Sequence, residues 1–148
     1  MAAVRQANAT WSGDLASGKG QVSAASSGAF KQLEVSWPRR SEPDAQGKTS
    51  PEELLAAAHA ACYAMALSNE LGKAGAAPES LDVTTTVTFD RVGGGFKVVS
   101  SALEVRGRVP NADEAAFQQA AETAKDGCPI SQALKGNVEL SVKATLEK

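Results

Sequence analysis

Between Leu54 and Leu67 the chain is apolar at every position except His59, and seven of these 14 positions are alanine. Ser50, Pro51 and Glu53 ahead of this run supply an N-cap hydroxyl, a proline at the first helical position and a capping-box carboxylate. The run stops at Gly72 to Gly75, so the spacing predicts one helix over 51–72. A helix apolar on every face must be buried on every face, and this one is too short to cross a bilayer. Its alanines let another helix approach closely. Aromatic residues are only 5% of the 148-residue chain, and a chain so short has difficulty covering such a helix alone. A second subunit is therefore expected to cover part of it.

The remaining elements read as strands and amphipathic helices. Turn residues punctuate 1–48 at Gly13-Asp14, Gly18-Lys19-Gly20 and Ser26-Ser27-Gly28, and Leu33 to Trp37 alternates at the strand period, predicting three short strands. Pro38 and the polar run Ser41–Lys48 predict a loop. Val83, Thr85, Val87 and Phe89 alternate with threonines, and Gly93-Gly94-Gly95 returns the chain into a second strand to Val109, giving a hairpin. Asn111 or Asp113 can cap a helix to about Lys125, with Gly127 where a left-handed C-cap would fall. Pro129 opens a short helix to about Leu134, and Val138 to Leu146 alternate as a last strand. Strands cluster rather than alternating singly with helices, so the class is α+β in β3-α-β2-α-β order, as a single domain over 1–148.

With 15 basic and 17 acidic side chains the formal net charge is −2, and the basic residues are scattered. Nothing here makes an electrostatic footprint for nucleic acid. The N-terminus lacks a signal-peptide run and no membrane partner is expected, which makes the cytoplasm the simplest location. In a reducing compartment the two cysteines are more often reactive or metal-binding than a structural disulfide.

Two glycine-rich stretches come near a phosphate-binding loop and miss. In Gly13–Gly20 the last position is Gly20 where magnesium needs a hydroxyl, and before Gly47-Lys48-Thr49 an acidic Glu42 stands where the first glycine belongs. His59 and Cys62 are three apart on one helix, and Cys128 is a third zinc-ligand candidate, but the spacing fits no recognisable zinc motif. His59 reads either as a core histidine hydrogen-bonded within a subunit interface or as a neighbour of the site. Cys62 lies in mid-helix, where burial raises a thiol's pKa, so reactivity there requires a cation. Cys128 precedes Pro129 at a helix N-terminus, where partial positive charge favours thiolate. Local physics alone chooses Cys128 as the nucleophile.

Ser50 to Ser68, with Glu52, His59 and Cys62, and Ala124 to Leu134 around Cys128, resemble the superfamily of thiol peroxidases that unites osmotically inducible protein C with the organic hydroperoxide resistance proteins. The resemblance extends to Trp11–Leu15 and the Gly18-Lys19-Gly20 turn. It implies an intertwined homodimer with sheets wrapped around central helices and active sites at the interface. It also implies Cys62 as the peroxidatic thiolate, against the local reading, and Cys128 as the resolving thiol. The missing cation becomes an arginine of the N-terminal section, Arg40 or failing that Arg39, oriented by Glu52. Ala58-His59 fits the osmotically inducible branch.

The implied activity is thiol-dependent reduction of organic, and more weakly inorganic, hydroperoxides to alcohols in defence against oxidative or osmotic stress. It needs no cofactor and no metal. A Cys62–Cys128 disulfide would be recycled by a dithiol reductant, for instance a lipoyl-type one. Tyr63, Met65 and Phe30 are candidate walls of an apolar substrate pocket. Two other classes compete: a redox-sensing dimer that binds an apolar ligand without turnover, and a cysteine hydrolase using Cys62 and His59, the latter weakened because neighbours at i and i+3 on one helix seldom align for proton transfer.

Overall fold

Three short strands form in the N-terminal section, β1 (Ala7–Ser12), β2 (Lys19–Ala24) and β3 (Leu33–Val35), paired antiparallel in the order β1-β2-β3. The computed structural model describes all 148 residues. It divides the chain into two units, Met1–Leu54 and Leu55–Lys148.

In the first unit, Trp11 of β1 lies opposite Gly20 of β2. A side chain at Gly20 would overlap the Thr10 carbonyl and come within 2.8 Å of the indole, so only glycine lets the tryptophan lie there. The Gly13–Gly20 stretch is a hairpin connection, in which the Asp14 carboxylate accepts from the Ser17 backbone N–H at 2.8 Å and from its hydroxyl at 2.9 Å. Beyond β3 the structure departs from the expected strand to Trp37 and loop from Pro38. Trp37–Ser41 instead make a one-turn helix, α1. Ser36 is its extended N-cap and Pro38 sits in its first turn, where a missing N–H costs nothing.

The long helix, α2 (Pro51–Lys73), starts and ends within a residue of expectation. Ser50 Oγ accepts from the Glu53 backbone N–H at 3.1 Å, which caps the helix. The Glu53 carboxylate accepts from the Thr49 hydroxyl at 2.8 Å.

Most of α2 belongs to the second unit, with β4 (Ser80–Val92), β5 (Gly95–Arg108), α3 (Glu114–Gly127), α4 (Pro129–Leu134) and β6 (Glu139–Glu147). The expected hairpin pairs β4 and β5 antiparallel, and β6 joins β5 in parallel. Tyr63, Leu67 and Leu71, one turn apart on α2, are buried with Leu103 and Val105 of β5 and Phe117 and Ala124 of α3. Each such large side chain contributes about 1.5–3 kcal/mol by leaving water. Gly107 permits this packing, since a Cβ there would approach the Phe117 ring to 2.6 Å.

Burial of α2 on all sides is not achieved within one chain. The sheet and α3 cover the His59–Tyr63–Leu67–Leu71 face, while Ala57, Ala58, Ala61 and Met65 form an exposed stripe on another. The C-cap of α3 also differs from expectation. Gly127 is the last helical residue without a positive φ, and the cap is Cys128, extended at φ −62° and ψ 124°. Pro129 forces this, because a residue before proline is driven out of the helical region. Cys128 thus ends α3 and begins α4 at once.

Candidate functional site

Two constellations are built, one in each unit. In the first, α1 presents Arg39 and Arg40 in its only turn, and they take different partners. Arg40 Nε lies 3.1 Å from both carboxylate oxygens of Glu52, and Nη2 lies 2.8 Å from Oε1. Arg39 turns instead to the Asp44 carbonyl at 3.0 Å and to Glu42 at 3.4 Å, pinning the loop that follows. Glu52 is buried and Arg40 is partly exposed. The buried carboxylate is therefore neutralised and geometrically held by a forked donor. The guanidinium also lies 6.0 Å from the centre of the Trp37 ring, within cation–π range.

Beside Arg40 opens a cavity of about 260 Å³ lined by Trp11, Leu15, Val35, Ser36, Trp37, Arg40 and Pro51. One cationic group thus faces a predominantly apolar wall, an arrangement suited to an apolar molecule with one polar end.

In the second unit α2 carries Cys62, and the α3–α4 junction carries Cys128, which is fully buried. Both are free thiols. Burial pushes the Cys62 thiol up, a hydrogen bond with Cys128 pushes it further, and the Ile130 backbone N–H pulls it back. The first turn of α4, which local reasoning assigned to Cys128, thus also favours the thiolate of Cys62. Cys62 packs against the core cluster that contains Cys128, 66 positions further along the sequence.

His59 lies one turn before Cys62 with no exposed surface. Its Nδ1 is 2.7 Å from Ser101 Oγ on β5 and its Nε2 is 2.8 Å from Ser131 Oγ on α4. Burial holds its pKa below the usual value, so the ring is neutral. Both ring nitrogens are thus engaged by serine hydroxyls. No three His, Cys, Asp or Glu side chains come together as a metal site. The histidine is a core residue, bonded within its own unit rather than across a subunit interface.

Residues 43–143 match the family model described as OsmC-like protein. The chain belongs to the OsmC-like protein family. It is 43% identical over 136 residues to peroxiredoxin OsmC of Escherichia coli K12, covering 92% of this chain and 93% of that protein. It is 32% identical to an organic hydroperoxide resistance protein of Xanthomonas axonopodis pv. citri, over 86% and 88% of the two chains. The crystal structure of the organic hydroperoxide resistance protein OhrB of Bacillus subtilis superposes with a TM-score of 0.71 at 27% identity, covering 96% of this chain and 98% of that one.

Tyr63 belongs to the core, its hydroxyl donating to the Ala121 carbonyl at 3.0 Å, and Met65 is exposed. Neither they nor Phe30 line the cavity at Arg40. Trp11, Leu15, Val35, Trp37 and Pro51 do, and sequence reasoning missed them. Their only signal was an apolar side chain beside turn residues, which is also how ordinary strand residues look.

Proposed function

We propose that this chain is a thiol-dependent peroxidase that reduces organic hydroperoxides to alcohols. The observation that carries the reading is the packing of the Cys62 side chain on α2 against the core that holds Cys128 at the α3–α4 junction. The names of its relatives, a peroxiredoxin and organic hydroperoxide resistance proteins, support it. Defence against oxidative or osmotic stress in the cytoplasm follows as its setting. No helix is long and apolar enough to cross a membrane.

Arg40, oriented by Glu52, stabilises the Cys62 thiolate. That thiolate attacks the terminal oxygen of ROOH; the O–O bond breaks, the alkoxide takes a proton and leaves as ROH, and Cys62 becomes a sulfenic acid. The Cys128 thiol attacks its sulfur, releasing water and forming the Cys62–Cys128 disulfide. A dithiol, of the lipoyl type in this proposal, exchanges with the disulfide, returning both thiols and becoming a disulfide itself.

Ionisation is a small part of the work. A thiol of ordinary pKa is already a few per cent ionised at pH 7, so full ionisation gains only about 10–30-fold. The guanidinium must also stabilise charge on the leaving oxygen, where a preorganised donor is worth about 10²–10³-fold.

The active unit in this reading is a homodimer. Glu52 and Cys62 are ten residues apart on α2, a rise of about 15 Å, and helical side chains lean toward the N-terminus. In this reading the Arg40–Glu52 pair serves a Cys62 at the interface of two copies. The exposed stripe of Ala57, Ala58, Ala61 and Met65 is the surface that this copy would cover.

The test mixes reduced protein with cumene hydroperoxide, hydrogen peroxide and an ester, then counts free thiols and measures turnover with dihydrolipoamide present. The reading expects fast loss of both thiols with the organic peroxide, slower loss with hydrogen peroxide, and none with the ester. Thiol loss no faster than that of free cysteine, without turnover, would sink it. Cys62→Ser is expected to abolish peroxide consumption, and Cys128→Ser to permit one turnover ending in sulfenic acid.

A further inference from the structure

The peroxidase reading uses two thiols, an arginine and a glutamate, and leaves unexplained a buried polar group set among the thiol-bearing elements. His59, Ser101 and Ser131 are polar side chains withdrawn from solvent, and they bond only to one another. A neutral imidazole donates from one nitrogen and accepts at the other, so two hydroxyls saturate it. Burying three polar groups in an apolar core has a desolvation cost that an all-apolar cluster would not have. What that cost secures is legible from where the three residues stand.

His59 is three residues before Cys62 on α2, and Ser131 is three residues after Cys128 on α4. The Nε2···Oγ bond at 2.8 Å therefore joins the two cysteine-bearing segments one helical turn from each sulfur. Tyr63, next to Cys62, makes a second tie by donating to the Ala121 carbonyl of α3, seven residues before Cys128. Cys128 stands between these ties, in the extended link between two helices, its backbone N–H donating to the Ala124 carbonyl and its carbonyl accepting from the Gln132 N–H. Ser101 on β5 holds the other ring nitrogen, so the ring cannot rotate away from Ser131.

We propose that His59 is a positioning residue for disulfide closure, its bond to Ser131 holding the first turn of α4 against α2 so that Cys128 meets the oxidised Cys62. The inference rests on the peroxidase reading and concerns its second step alone. In that step the Cys128 thiol attacks the sulfur of Cys62–SOH, an S–S bond replaces the S–O bond, and the hydroxyl leaves as water with the thiol proton. Such an attack depends on alignment, and a misplacement of about 1 Å can cost on the order of 100-fold. Ile130, whose N–H acts on Cys62, is in the same turn and is placed by the same bond.

The experiment uses one equivalent of cumene hydroperoxide on the reduced full-length protein. It follows peroxide consumption, the sulfenic acid trapped by dimedone, and the disulfide formed. Ser131→Ala is expected to slow the conversion of sulfenic acid to disulfide by about tenfold or more, so that trapped sulfenic acid rises and sulfinic acid appears with excess peroxide. The two amide replacements of His59 separate positioning from packing. Asn places a polar atom near Nδ1 and loses Ser131, whereas Gln places one near Nε2 and keeps it. His59→Asn is expected to behave as Ser131→Ala does, and His59→Gln to restore closure to within about threefold of wild type. If Ser131→Ala fails to fold, the Asn and Gln pair reads the same quantity. Closure at the wild-type rate in Ser131→Ala or His59→Asn, or equal slowing in the Asn and Gln variants, overturns the inference while leaving the peroxidase reading intact. A wild-type protein that forms neither sulfenic acid nor disulfide overturns both.

Discussion

Arg40 grips Glu52 through two nitrogens, Nε at 3.1 Å from both carboxylate oxygens and Nη2 at 2.8 Å from Oε1, while the adjacent Arg39 faces Glu42. One helical turn thus sorts two neighbouring arginines into different tasks. The carboxylate is buried, so it needs the guanidinium as much as it orients it.

Arg40→Met is expected to lower kcat/KM for cumene hydroperoxide by about 10²–10³-fold, the range for losing a charge-stabilising donor. Arg39→Ala should stay within about threefold. Stability separates them too. Arg40→Met leaves a buried carboxylate without its partner and costs about 1–3 kcal/mol, discounted because the arginine itself is partly exposed. Steady-state kinetics and urea melts of both variants check the pair.

His59 makes stability depend on pH. Its folded-state pKa is depressed by burial while the unfolded chain keeps the usual value of 6.5. The unfolded state therefore takes up the proton first as pH falls. Stability is full above about pH 6.5 and declines below it until the depressed native pKa is reached, with a slope of at most about 1.4 kcal/mol per pH unit. Urea melts at pH 7.5, 6 and 5 should show this decline, and His59→Gln should flatten its share.

The cavity beside Arg40 should set substrate preference. Leu15 lines it and is otherwise largely exposed. Replacing it with serine removes apolar contact to an alkyl or aryl group and is expected to raise KM for cumene hydroperoxide by about 10-fold or more. Hydrogen peroxide, too small to use that wall, should be consumed as before. Equal effects on both peroxides would place the organic group elsewhere.

The open stripe on α2 gives a test of assembly. Met65 is 68% exposed in the single chain. Met65→Glu would bury a carboxylate if a second copy covers it, an expensive change without a partner charge. Sedimentation should then show a shift from dimer toward monomer at micromolar concentration, with peroxidase activity falling in step. A dimer unaffected by the substitution would put the interface on another face.

Much of this molecule was legible along the chain because the deciding interactions are local. The Ser50 cap, the stop near Gly72, the Thr-alternating β4 and the glycine turn into β5 depend on neighbours a few residues away. Expectation failed in two places. Pro129 drove its predecessor Cys128 out of the helical region and made it the cap in place of Gly127, while Trp37 and Pro38 opened a one-turn helix that the strand-like alternation did not show.

By itself the sequence determined the order of the strands and of the helices α2, α3 and α4, an α2 apolar on every face, and the small set of residues able to do thiol chemistry. The tertiary structure decided which of them meet. It set Arg40 rather than Arg39 on Glu52 and gave both nitrogens of His59 to serines 42 and 72 residues away. The reason is physical: capping and periodicity act within a turn or two of chain, whereas a thiol, an imidazole or a guanidinium takes its chemistry from groups that only folding brings within hydrogen-bond reach.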